Sequence, residues 1–152
     1  MKIISYLVIP AWIFVSVTAF GQTKSPVTWS FSSNKKSDKV YDVVLTANLN
    51  KPWHIYSQFT PKGGPLPTKI TFATNPIITI DGDTKETGKL LTDYDDNFGV
   101  DVKYFSGKVE FVQTVKMKST AKTGVRGSIE YMVCNDEKCL PPVKQLFDIK
   151  LQ

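Results

Sequence analysis

Two side chains stand out as a pair able to do chemistry: Cys134 and Cys139, the only cysteines of the chain. Asn135, Asp136, Glu137 and Lys138 lie between them, all polar. Strand-like runs flank the segment, which is hairpin geometry. A hairpin can bring two Cα atoms within the roughly 4.4–6.8 Å that a disulfide spans. Three chemistries are open to such a pair: a structural staple, a redox pair that exchanges disulfides with other proteins, or part of a metal site.

The staple is the default in an exported protein. Three features count against it. The closed ring holds six residues, and the chain-entropy model credits so short a ring with only about 2 kcal/mol. A domain of this size builds a core without a bridge. Ile129, Tyr131 and Val133 occupy the inward face of their strand, so Cys134 is expected to point outward, as an accessible sulfur at a hairpin tip. Pairing Cys134 with Cys139 sets 133 opposite 140 and 131 opposite 142, which conflicts by one residue with the inward set Phe147, Ile149 and Leu151. A bulge or kink near Pro141-Pro142 is therefore expected. No metal centre is expected. Two thiolates do not complete a tetrahedral zinc site, and the single histidine, His54, is far away in sequence. No cofactor is expected. Neither a nucleophile elbow of the GxSxG type nor a phosphate-binding glycine loop is present.

The elements that must position this pair read as strands. Tyr41, Val43, Leu45, Ala47 and Leu49 recur at every second residue, with Asp42, Thr46 and Asn48 between them. Val109, Phe111, Val115 and Met117 alternate in the same way, as do Ile129, Tyr131 and Val133, and Phe147, Ile149 and Leu151. A period of two means one buried and one wet face. Weaker strand candidates cover residues 27–32, 53–59, 69–73 and 77–80. Residues 33–39 read as a polar connection, 50–52 as a turn, and the proline- and glycine-rich 61–67 as an irregular crossover. Asp81-Gly82-Asp83 and Lys122-Thr123-Gly124 read as turns, and residues 93–101 as a long acidic loop around Phe98-Gly99. No amphipathic helix stands out. About eight short strands in one domain predict an all-β, immunoglobulin-like β-sandwich.

The net charge of +5 comes almost entirely from lysines scattered among acids, and Arg126 is the sole arginine. That pattern argues against a nucleic-acid partner. Residues 1–21 read as a signal peptide. Lys2 precedes an uncharged run, and Ala19 and Gly21 place small residues at a cleavage site. The mature domain is expected to span 22–152, exported to the periplasm, with no stable membrane insertion after cleavage.

Cys134 and Cys139, followed by Leu140-Pro141-Pro142, resemble the family of N-terminal periplasmic domains of the thiol:disulfide interchange protein DsbD. Trp53-His54-Ile55-Tyr56-Ser57-Gln58, Asp95-Asp96-Asn97-Phe98-Gly99 and Tyr104-Phe105-Ser106-Gly107-Lys108-Val109 resemble, in order, its aromatic strand, its cap loop and the strand that follows. The resemblance implies an immunoglobulin-like domain that relays reducing equivalents from a membrane-embedded partner to periplasmic oxidoreductases with thioredoxin folds. It implies that Cys134 and Cys139 are the redox pair, with Cys139 forming the mixed disulfide. It makes Phe98 a cap aromatic that moves aside for a partner, Asp96 an acidic cap-loop residue, and His54 and Tyr56 residues that line the site. The chain departs from the family pattern in three places. It has one residue fewer between the cysteines, Asn97 in place of an acid, and His54 in place of a tyrosine. These departures bear on pKa tuning more than on the redox role. The family's electron-relaying membrane segments are not expected on this chain, and a separate membrane thiol transporter is expected to supply the electrons. The competing expectation is a non-catalytic secreted β-sandwich that binds a partner and carries a structural disulfide.

Overall fold

The computed structural model describes residues 25–96 and 98–151. The expected signal segment, 1–21, and the site candidate Asn97 lie outside the described residues. Among those described there are nine strands and no helix: β1 (Val27–Ser37), β2 (Val40–Leu49), β3 (His54–Tyr56), β4 (Lys69–Phe72), β5 (Ile78–Asp95), β6 (Val100–Met117), β7 (Thr123–Tyr131), β8 (Val133–Cys134) and β9 (Val143–Leu151).

The five alternating residues of β2 are all buried, as are Val109, Phe111 and Val115 of β6. They meet Val125, Ile129 and Tyr131 of β7 and Phe147, Ile149 and Leu151 of β9 in one core. Two sheets supply these faces. The larger runs β1-β2-β6-β3-β8, with β5 also on β6; the smaller runs β4-β7-β9. All pairs are antiparallel, and the two inner faces close on each other as a sandwich. β6 is the spine. Residues 108–116 pair with β2 and 104–106 with β3, so β2 and β3 lie end to end along one edge of β6 while β5 follows the other.

The weaker sequence signals deviate in informative ways. The expected connection 33–39 is mostly strand, because β1 pairs with β2 as far as Ser37↔Val40 and leaves its polar side chains in solvent. The expected strand 53–59 shrinks to three residues. Ser57 N–H still reaches Lys103 O of β6 (2.9 Å), but Gln58 N–H leaves for the Glu86 carboxylate (2.7 Å), which also accepts from Ser57 Oγ (2.6 Å), and the pairing goes no further. Asp81-Gly82-Asp83 is a bulge within β5, where the register slips between Asp81 and Lys85. Buried Gln113 fills it: its Nε2 donates to Asp81 O (3.0 Å) and Gly82 O (3.2 Å), and its Oε1 accepts from Thr84 Oγ1 (2.8 Å). The expected acidic loop 93–101 is a tight hairpin. Pairing continues to Asp95↔Val100, and Gly99 supplies the positive φ of 68° that closes the turn. The expected turn at 122–124 ends earlier, since β7 already begins at Thr123.

Gly127 shows how tightly β4, β7 and β9 pack. A Cβ there would lie 2.3 Å from Thr71 O and 2.4 Å from Phe147 Cζ. Gly127→Ala is expected to force the strands apart and cost about 1–3 kcal/mol, read as a lower midpoint in urea unfolding. An unchanged midpoint would mean that β4 yields freely.

Candidate functional site

β7 ends at Tyr131 in the smaller sheet. After Met132 the chain enters the larger sheet as β8, where Val133 faces Ile55 and Cys134 faces His54 across the ladder. The hairpin then closes tightly. Cys134 and Cys139 form an isolated bridge and a disulfide, with Cα atoms 4.0 Å apart. Asn135 N–H donates to Lys138 O (2.9 Å), and Asn135 Oδ1 accepts from the N–H groups of Glu137 (3.1 Å) and Lys138 (2.8 Å). Asparagine is suited to this turn because its side chain mimics the backbone two residues on. Leu140 N–H returns to Val133 O at 2.8 Å, whereas Tyr131 pairs with Val143. The ladder has slipped by one residue across Leu140-Pro141-Pro142, the irregularity expected there.

The two sulfur-bearing residues differ sharply in exposure. Val133, with Ile55 and Phe105, belongs to the main core. Cys134 therefore points away from that core, as strand parity predicted. The expected accessibility is wrong, however: Cys134 is only 1% exposed. A second cluster covers it, built from Tyr56 and Val102 with Val100, Tyr104 and Met132 packed around them. Cys139, at the end of the hairpin, is exposed.

His54, Tyr56 and Tyr104 form an aromatic group beside this pair. His54 Nε2 lies 3.4 Å from the Tyr56 hydroxyl, and the His54 ring sits 5.4 Å from the Tyr56 ring and 4.7 Å from the Tyr104 ring. The Tyr104 hydroxyl donates to the Asp93 carboxylate. That bond first, then burial, pushes Tyr104 up to about 12, so it stays protonated at neutral pH. Burial lowers the pKa of His54, with the charges of Asp136 and Asp95 acting against it. Burial raises Tyr56, and Asp95 adds to that rise.

The structure thus brings Cys134, Cys139, His54 and Tyr56 together. Asp96 and Phe98 lie in the β5–β6 turn, both exposed, Phe98 at 40%; Phe98 N–H donates to Asp95 O at 3.2 Å. Trp53 packs against the main core. Sequence reasoning gave no role to Tyr104, Asp93 or Val102. A signal existed: Val102 and Tyr104 alternate on one face of β6, and buried Phe105 takes the other. Among the described residues, no three His, Cys, Asp or Glu side chains are grouped to hold a metal ion.

A covered cysteine is thus bonded to an exposed one at the edge of the larger sheet. Residues 22–151 match the family described as thiol:disulfide interchange protein DsbD, N-terminal. The chain belongs to this family. The DsbD N-terminal domain of Neisseria meningitidis in its reduced form superposes with a TM-score of 0.53 at 13% identity, over 82% of this chain and 85% of that one. The complex between the DsbD N-terminal and PilB N-terminal domains from the same organism gives 0.52 at 12%, over 80% of each chain. At such identities the likeness shows the fold, which is the immunoglobulin-like sandwich. No curated protein matches the sequence. As a DsbD N-terminal domain the chain is a thiol:disulfide interchange domain, and its two cysteines are joined in the disulfide of this hairpin.

Proposed function

We propose that residues 22–152 form a periplasmic exchange domain, exported by a signal at 1–21, that relays reducing equivalents through Cys134–Cys139. A separate membrane thiol transporter reduces the pair, and thioredoxin-fold periplasmic oxidoreductases draw on it. The observation that carries this reading is the unequal exposure of the two cysteines. Disulfide exchange needs one sulfur open to an incoming thiolate, and a second held close to resolve the product. Cys139 is exposed and Cys134 is covered.

In the reducing half-cycle a partner thiolate attacks Cys139 Sγ. The bond to Cys134 breaks, and Cys134 takes the electron pair and a proton. The partner's second thiolate then attacks its own sulfur in the mixed disulfide and frees Cys139. Two electrons have passed from the partner dithiol to the pair. In the delivering half-cycle the Cys139 thiolate attacks a partner disulfide, and Cys134 resolves the mixed disulfide. Phe98, exposed in the turn beyond Asp95, is proposed as a cap aromatic able to swing over the pair, with Asp96 beside it and Tyr56 and His54 lining the site. The PilB domain bound in the Neisseria complex supports a partner docked on this kind of domain.

The burial of Cys134 in an apolar cluster also favours the second reading, a structural bridge in a binding module. Equilibration against dithiothreitol separates the two. A redox pair is expected to titrate above about −300 mV, whereas a value below that marks a bridge that periplasmic partners do not open.

A further inference from the structure

Resolution of a mixed disulfide at Cys139 requires Cys134 as a thiolate, and the surroundings of Cys134 oppose that charge. Its neighbours are Tyr56, Val102, Val100, Tyr104 and Met132, and it is 1% exposed. A thiol in such a place holds its proton, so a nearby base is needed to remove it. Directly opposite Cys134 in the ladder stands His54, the chain's one histidine. Opposed residues share a face and carry Cβ atoms about 4.5–5.5 Å apart, within reach of an imidazole for a sulfur. Tyr56 and Tyr104 hold the ring on its other flanks.

We propose that His54 is the base that takes the proton of Cys134 when that thiol resolves a mixed disulfide at Cys139. The proposal rests on the exchange reading above. Cys134 Sγ gives its proton to the imidazole and attacks Cys139 Sγ. The Cys134–Cys139 bond forms, and the bond from Cys139 to the partner sulfur breaks. The partner leaves as a thiolate with the electron pair: Cys134 is oxidised and the partner sulfur reduced. In the opposite half-cycle the imidazolium returns the proton to Cys134.

The groups facing His54 suit this role. They are Tyr56 on its own strand, Tyr104 and Ser106 from β6, Asp95 from β5 and Asp136 from the cysteine hairpin, with Asp93 of β5 bonded to Tyr104. Glu137 and Lys138 of that hairpin are exposed. Both tyrosines are held protonated. Burial draws His54 below the ordinary histidine value of about 6.5, so at neutral pH it is uncharged and able to accept a proton. The base form is lost as pH falls through its lowered pKa.

Reduced protein mixed with one equivalent of dithiobis(nitrobenzoate) should release nitrothiobenzoate twice, first as Cys139 is modified and again as Cys134 resolves the adduct. For the unaltered protein the second rate is expected to be level through neutral pH and to fall only as pH drops through the lowered pKa of His54. In His54→Gln it is expected to be about ten- to a hundredfold slower at neutral pH, and to climb about tenfold per pH unit into the alkaline range. His54→Phe, which keeps a ring against Tyr104, should match His54→Gln. Slowing in the glutamine variant alone would assign the effect to packing and overturn the proposal. An unaltered protein whose second rate keeps climbing through neutral pH would overturn it without any variant. If neither the unaltered protein nor the variants give a second release, the exchange reading itself falls, which is distinct from the failure of His54 alone.

Discussion

A Cys134→Ala protein presented with an oxidised thioredoxin-fold protein is expected to accumulate a mixed disulfide through Cys139, and a Cys139→Ala protein to accumulate none. The attacking or attacked sulfur must meet its partner in line, which only an exposed sulfur at the hairpin end allows. Cys134 becomes reachable only if the cover of Tyr56, Val102 and Tyr104 opens. An opening that costs about 3 kcal/mol slows reaction about a hundredfold. The same asymmetry should appear when the reduced protein is alkylated: Cys139 reacts first, and Cys134 about two orders of magnitude later. Alanine is the right replacement at 134, because a serine hydroxyl could bond to His54 across the ladder and keep a polar contact where the thiol is to be removed. Equal trapping through both cysteines would sink the assignment of Cys139 as the exchanging sulfur.

The face on which Cys134 sits could be read from strand parity; of its cover, the family resemblance brought Tyr56 to the site but gave no role to Val102 or Tyr104. Parity within the segment Ile129, Tyr131, Val133 correctly sends Cys134 away from the core, since successive side chains alternate. The cover comes from Tyr56 and Val102, brought in by β3 and β6 through long-range pairing that no local pattern encodes. The same holds for His54, which lies opposite Cys134 only through the β3–β8 register. β2 was legible because all five of its alternating residues are buried on one side. β5 was not, because only Ile78 of its eighteen residues is buried and the rest of the strand holds its place by backbone pairing to β6. With no buried stripe there is no period to detect, so its acids and glycines read as turns and loop. The aromatic group at the site carries the same lesson: Tyr104 and Asp93 meet only because the hairpin that looked like an acidic loop stays paired to Asp95.

Phe105→Ala tests whether the core beneath the site, and not the sandwich at large, protects Cys134. Phe105 is 1% exposed and lies opposite Ile55, on the core side of the strand that carries His54 and Tyr56. Its ring also packs on the β5 backbone, where a Cβ at Gly88 would come within 3.3 Å of Phe105 Cδ1. Removing it leaves a cavity between β3, β5 and the core, and is expected to cost about 3–5 kcal/mol. That is a large part of the 5–15 kcal/mol typical of a domain, so urea unfolding should register it plainly. Ile149→Ala is the control. Ile149 is buried in the same core but six residues along β9 from Val143, about 20 Å of strand from the cysteine end. It is expected to cost a comparable 2–5 kcal/mol. Under native conditions, alkylation of reduced Cys134 should accelerate more in Phe105→Ala than the loss of global stability predicts. In Ile149→Ala it should follow global stability alone. β3 is three residues long and rests on Phe105 through Ile55, so a cavity there frees the strand locally, whereas a cavity at the far end must unfold the sheet before Cys134 is reached. Equal acceleration in the two variants would mean that Cys134 is uncovered only by global unfolding, and a partner could then not reach it by displacing the local cover.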